Sequence, residues 1–244
     1  MKQRLLILCI AAVALIFAAC GGDSGNNGSG MERDSSSSSS SGALCTNTYG
    51  TNTVTDCRDN QTYKTVTIGT QMWMAENLNY AVDSSWCYNN SADSCAKYGR
   101  LYQWAGAMGL SVTYNSTSAT GVISTPQQGV CPAGWHIPTD PEWTTLENTV
   151  GGGDVAGTAL KSVSGWDEGG NGTDAYGFSA FPAGYRNGYG GFGSVGRYAH
   201  FASATTTEVD TLRAYNRYLY YEDAYMGTSS DGKFIAFSVR CLKD

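Results

Sequence analysis

The stretch Cys131-Pro-Ala-Gly-Trp-His-Ile-Pro-Thr-Asp-Pro-Glu-Trp143 passes from an extended pattern to a helical one in a single short run. Around Trp135 it reads as a buried strand. Thr139 and Glu142 then stand at capping-box spacing, where each side chain satisfies a backbone N–H of the other's end of the first turn. Pro141 falls in that turn, where a missing N–H costs nothing. Trp143, Leu146 and Val150 form an apolar stripe, and Gly151 ends it. A strand feeding directly into a capped helix, anchored by Trp135 and Trp143, predicts a mixed α and β domain. His136 has no nucleophile beside it and is expected to be structural.

Upstream, residues 63–68 alternate and stop at Gly69-Thr70 before residues 71–75, which predicts a hairpin. Tyr98, Leu101, Tyr102, Ala105 and Met108 follow helical spacing up to Gly109, which predicts a second helix. Downstream, residues 215–221 and 234–242 flank Ser229-Ser230-Asp231-Gly232 and read as strands on either side of a turn. Ile235, Phe237, Val239 and Cys241 share one face of the last run, as in a core-facing strand.

The N-terminus reads differently. Lys2 and Arg4 precede an apolar run up to Ala19, with Cys9 inside it. That run is about 15 residues, short of the ~20 that span a bilayer. Small residues then precede Cys20 and two glycines, the pattern of a lipoprotein signal with Cys20 acylated, although Phe17 stands where such signals usually carry Leu. The alternative is ordinary signal-peptidase cleavage and a free secreted product. Residues 20–44 are Gly-, Ser-, Asn- and Asp-rich, with seven consecutive serines, and predict a disordered tether. The expected organisation is a signal peptide at 1–19, a lipid-anchored tether at 20–44 and one domain at 45–244, held at a bacterial cell envelope and facing the periplasm or the cell surface.

Charge and sulfur agree with export. The net charge of −6 falls to about −8 once Lys2 and Arg4 are removed. Such a chain has no electrostatic attraction for nucleic acid. Six cysteines remain beyond Cys9 and Cys20, namely Cys45, Cys57, Cys87, Cys95, Cys131 and Cys241, an even set expected to form disulfides. Of 15 possible pairings, proximity favours Cys45–Cys57 and Cys87–Cys95, leaving Cys131–Cys241.

Several segments together resemble the Fibrobacter succinogenes major paralogous domain family. They are Thr62-Tyr-Lys-Thr-Val-Thr-Ile-Gly with Trp73-Met-Ala-Glu-Asn-Leu-Asn, Tyr98-Gly-Arg-Leu-Tyr-Gln-Trp, the run from Gly129 to Trp143, Asn171-Gly-Thr-Asp-Ala-Tyr-Gly-Phe-Ser-Ala, Pro182-Ala-Gly-Tyr-Arg, and the Phe-Ser-Val-Arg-Cys ending. The resemblance runs in the family's order over nearly all of residues 56–244. It implies an α+β, C-type lectin-like fold with small twisted antiparallel sheets, two main helices, long irregular loops and disulfide staples. It implies no established activity, and fold alone does not carry function.

Formylglycine-generating enzymes, grouped with the same folds, need reactive cysteines. An even set locked in disulfides offers no thiolate, so catalysis is not expected. Asp140 and Glu142 read as helix-cap residues. In the acidic, glycine-rich loop at 167–174, Asp167, Asn171 and Asp174 could offer oxygens to calcium, although the spacing is not that of an EF-hand; the alternative is a plain surface loop. The Glu-Pro-Asn and Trp-Asn-Asp motifs of calcium-dependent sugar-binding lectins are absent.

Eight of the 16 tyrosines lie between positions 185 and 225. Tyrosine supplies rigid contact area with a polar tip. Tyr185, Tyr189, Phe192, Tyr198 and Tyr215 are therefore candidate ligand contacts, whereas Tyr218 and Tyr220 are expected to divide between the two faces of their strand. The expected function is non-catalytic binding of a glycan or an envelope or extracellular protein. A purely structural envelope role and a formylglycine-type oxidase are the alternatives.

Overall fold

The computed structural model describes residues 45–209 and 211–244. The expected signal peptide, acylated Cys20 and most of the tether lie outside the described residues. In chain order the elements are β1 (Thr48–Gly50), β2 (Thr53–Thr55), β3 (Thr62–Ile68), β4 (Gln71–Met74), β5 (Ser85–Trp86), α1 (Ala92–Tyr98), β6 (Leu101–Gln103), α2 (Trp104–Ala107), β7 (Trp135–His136), α3 (Asp140–Thr149), α4 (Gly153–Leu160), β8 (Tyr185–Arg186), β9 (Phe192–Gly193), β10 (Tyr198–Thr206), β11 (Arg213–Tyr220), β12 (Met226–Gly232), β13 (Ala236–Ser238) and β14 (Leu242–Lys243). One sheet has the order β1-β2-β3-β4-β14-β7. The other has the order β12-β11-β10-β13-β6-β5, with the short β8–β9 hairpin attached to β13. Pairing is antiparallel except between β10 and β13, which meet in parallel at Phe201 and Ser238. No helix among the described residues is long and apolar enough to cross a membrane.

The predicted hairpin is β3–β4, closed with Ile68 opposite Gln71. The predicted capped helix is α3. Glu142 Oε2 accepts from the Thr139 backbone N–H and from the Thr139 hydroxyl, both at 2.8 Å. The three disulfides pair Cys45 with Cys57, Cys87 with Cys95 and Cys131 with Cys241.

The helix expected through Tyr98 to Met108 is instead α1, a strand and the short α2. Gly99, at φ +70°, ends α1 in a conformation that costs a side chain strain. Leu101–Gln103 then pairs with Ala236–Ser238 inside the larger sheet. Strand pairing with the buried β13 overrides a helical spacing that rested on only a few apolar positions. Ser229-Ser230-Asp231-Gly232, read as a turn, is the second half of strand β12.

Two aromatic-rich clusters fill the interior. In one, the Trp73 and Trp143 rings lie 4.6 Å apart, Phe201 stacks on Trp143 at 5.5 Å, and Phe178 meets all three edge-on. The other gathers Tyr63, Tyr102, Trp104, Trp135 and Ile137 around the Cys131–Cys241 bridge. Arg240 is fully buried beside the first cluster. Its guanidinium donates to Asn77 Oδ1 at 2.6 Å, Phe178 O at 2.5 Å, Ser179 O at 2.8 Å and Met74 O at 3.3 Å. Burial pushes its pKa down to about 9, against the weaker pull of Glu76 and Asp174. This fork ties the segment after β4 to the loop before Ala180.

His136, buried on β7, is held between two carboxylates. Its Nδ1 lies 2.6 Å from Asp244 Oδ1 and its Nε2 3.0 Å from Glu142 Oε1. Burial lowers its pKa, but the two carboxylates outweigh this and the net shift is upward. On β11, the buried Arg217 donates to Asp140, Thr144 and Glu147 and so fastens the larger sheet to α3.

Candidate functional site

Successive residues of a strand point to opposite faces of its sheet. On β10 and β11 the residues Ala199, Phe201, Arg217 and Leu219 face the interior and are buried. The alternate residues Tyr198, His200, Asn216, Tyr218 and Tyr220 therefore share the opposite face. The register places Tyr198 across from Tyr220 and His200 across from Tyr218. Tyr218 and Tyr220 thus lie on one face rather than dividing between two, because they are two residues apart on a regular strand.

Neighbouring elements complete the aromatic surface. Phe237 of β13 stacks on His200 at 4.8 Å, and Tyr198 stacks on it from β10 at 5.3 Å. Tyr185 of β8 meets the imidazole edge-on at 5.9 Å. Tyr198 and Tyr220 lie 4.5 Å apart. Tyr225, just before β12, turns its hydroxyl to 3.3 Å from that of Tyr218. Gly227 lies opposite Tyr218 in the β11–β12 register, and the Tyr218 ring occupies the space a side chain at 227 would need. Tyr198, His200, Tyr218, Tyr225, Thr228 and Ser229 line an open depression of about 250 Å³.

A polar chain runs beside the rings. His200 Nδ1 lies 3.2 Å from Asn216 Oδ1, and Asn216 Nδ2 donates to Asp231 Oδ2 at 2.9 Å. Ser229 Oγ donates to the same carboxylate oxygen at 3.2 Å. Burial among the rings lowers the His200 pKa more than Asn216 and Asp231 raise it. The imidazole is therefore neutral at pH 7. Burial also raises the Tyr198 pKa, so this phenol remains protonated and can donate a hydrogen bond.

Of the five residues singled out from sequence, Tyr185 and Tyr198 meet in this cluster. Phe192 instead packs on Tyr88 at 5.3 Å, beside Arg186, whose guanidinium lies 3.9 Å above Trp86. Tyr189 sits fully exposed at the β8–β9 tip. Tyr215 alternates to the face opposite Tyr218. Sequence reading missed His200, Phe237 and Tyr225. The alternation of Tyr198, His200 and the buried Ala199 and Phe201 was a usable signal for the first of these.

Of Asp167, Asn171 and Asp174, the latter two spend side-chain oxygens on hydrogen bonds within the fold. Asp174 accepts from the backbone N–H of Ser179 at 2.7 Å and from its hydroxyl at 2.5 Å. Asn171 Oδ1 accepts from the Trp166 backbone N–H at 3.1 Å. Among the described residues, no group of three or more His, Cys, Asp or Glu side chains is placed to hold a metal ion.

A family model described as the Fibrobacter succinogenes major domain matches residues 66–243. No curated protein and no solved structure matches the chain significantly.

Proposed function

This chain belongs to the Fibrobacter succinogenes major domain family, and on that premise we propose that it is a cell-envelope lipoprotein whose C-type lectin-like module binds a glycan without catalysis. The carrying observation is the cluster of Tyr185, Tyr198, His200, Tyr218, Tyr220 and Tyr225 on one face of the larger sheet, backed by the buried Phe237. Flat rings present C–H-accepting faces to a sugar, and the phenols, Thr228 and Ser229 offer hydroxyls at their rim. A neutral His200 adds no charge for an uncharged ligand to desolvate.

The non-catalytic reading is supported by the sulfur chemistry. All six cysteines of residues 45–244 are bonded in pairs, which leaves no thiolate for formylglycine-type oxidation. The lipoprotein reading rests on residues 1–20 and the Ser-rich run after them, which would hold the module away from the membrane.

The test is retention of the protein on immobilised cell-wall and plant glycans, with a Tyr218→Ala, Tyr225→Ala variant beside it. The proposal expects at least one glycan to retain the parent chain and not the variant. Retention of neither chain on any glycan, with capture by a surface protein instead, would favour the protein-ligand reading.

A further inference from the structure

The three disulfides differ in their surroundings. Cys131 and Cys241 are fully buried, out of reach of a dissolved thiol. Cys45–Cys57 is the most open, with Cys45 exposed. Its neighbouring guanidinium, that of Arg58, spends its donors on Asp56 and the Val130 carbonyl. Cys87–Cys95 borders a groove of about 510 Å³, together with Arg100. Cys87 is half-buried there, and Cys95 is buried.

Arg100 is fixed over this bridge. Its Nε donates to Ser85 Oγ at 2.9 Å and its Nη2 to Ser85 O at 3.3 Å. Those two bonds aim Nη1 at the sulfurs, 3.6 Å from Cys87 Sγ and 3.6 Å from Cys95 Sγ. A neutral disulfide gains little from a permanent cation. A thiolate gains much, because a neighbouring positive charge lowers a thiol's pKa and makes it a better leaving group. The carboxylate on the groove wall, Glu76, turns to Lys64 instead, accepting from its backbone N–H at 2.8 Å.

We infer that Cys87–Cys95 is a thiol–disulfide exchange site that takes a small dithiol as its substrate. A thiolate of the dithiol attacks Cys87 Sγ, on the more accessible residue of the pair. A bond forms between the substrate sulfur and Cys87 as the Cys87–Cys95 bond breaks. Cys95 leaves as a thiolate paired with Arg100. The second substrate thiol loses its proton, attacks the first substrate sulfur and closes a disulfide. Cys87 leaves with the bonding pair and takes up a proton. The dithiol is thus oxidised by two electrons, the bridge is reduced to one thiol and one thiolate, and one proton is released. The exchange is stoichiometric and draws on no free thiolate in the resting protein, so it stands apart from binding at the aromatic face.

Dithiothreitol is the probe, applied to the native full chain, with alkylation and peptide mass spectrometry reading each bridge. Cys87–Cys95 is expected to open about tenfold faster than Cys45–Cys57, although Cys45 is exposed. Arg100→Gln should slow that opening about tenfold and leave Cys45–Cys57 unchanged. A mere loosening of the fold by the substitution would speed the opening instead, so the direction of the change separates the two. In a Cys87→Ala chain, the Cys95 thiol is titrated by its thiolate absorbance. It should ionise below the ordinary value of about 8.5, and Arg100→Gln should bring it back. Earlier opening of Cys45–Cys57, an unchanged or faster reaction in Arg100→Gln, or a Cys95 pKa at or above the ordinary value would overturn the inference.

Discussion

The imidazole of His200 and the ring of Phe237 lie 4.8 Å apart and within 19° of parallel. They come from β10 and β13, the one parallel pair of strands among the described residues. This contact joins the long β10–β11–β12 meander to β13, the strand just ahead of the segment that holds Arg240 and Cys241. It also leaves the histidine enclosed by aromatic neighbours, with Asn216 as its polar contact.

That enclosure has a pH signature. The His200 pKa is lowered, chiefly by burial, so the unfolded chain takes up a proton before the folded one. Stability linked to His200 is present above the ordinary value of 6.5 and is lost as pH falls through the lowered folded value. His136 has the opposite sign, because its pKa is raised. Its contribution is full below 6.5 and is lost as pH rises through the raised folded value. Replacing His200 with Phe should flatten the acid side of a melting-temperature profile, and replacing His136 with Gln should flatten the neutral side. Identical profiles for both variants and the parent would contradict the assignment.

Gly227 makes room for the Tyr218 ring. Gly227→Val should push that ring out of the aromatic face and cost about 1–3 kcal/mol through overpacking. Urea denaturation reads the cost, and loss of near-ultraviolet circular dichroism reads the displaced ring. A neutral substitution would mean that Tyr218 does not lie over position 227.

The long disulfide should matter most to folding. Replacing Cys131 and Cys241 together by Ala should cost about 4–5 kcal/mol on the chain-entropy model, against roughly 2–3 kcal/mol for the short Cys87–Cys95 loop. Chemical denaturation of the two double variants tests the order. A larger loss from the short loop would show that native-state packing, not loop closure, dominates.

Arg240 is held by four neutral acceptors and no carboxylate in contact. Arg240→Met should cost about 3–5 kcal/mol, because buried carbonyls of Phe178 and Ser179 lose their donors. Arg240→Lys should not rescue it, since one ammonium cannot reach the groups that the planar fork spans. Full rescue by Lys in a thermal melt would show that charge alone suffices.

What the chain disclosed in advance follows from how local each signal is. The α3 cap, the β3–β4 hairpin and the disulfide pairs rest on residues close in sequence, or on what remains once the close pairs are made. Strand β12 reads Met-Gly-Thr-Ser-Ser-Asp-Gly and looks like a turn. It is a strand because it closes the sheet edge against β11, where the Tyr218 ring covers the bare backbone of Gly227. Leu101–Gln103 likewise became a strand through partners more than 130 residues away. The aromatic face was half legible. Clustering of tyrosines pointed to Tyr185 and Tyr198, but only the register of β10 against β11 and β13 shows that His200, Tyr218 and Phe237 join them.

Saturation-transfer NMR tests the aromatic face most directly. The tyrosine ring protons of the full chain are irradiated in the presence of each oligosaccharide the protein retains. The account predicts transfer to the sugar's ring C–H protons, abolished when Tyr218 and Tyr225 are both replaced by Ala. Undiminished transfer in that variant, or none in the parent, would contradict it.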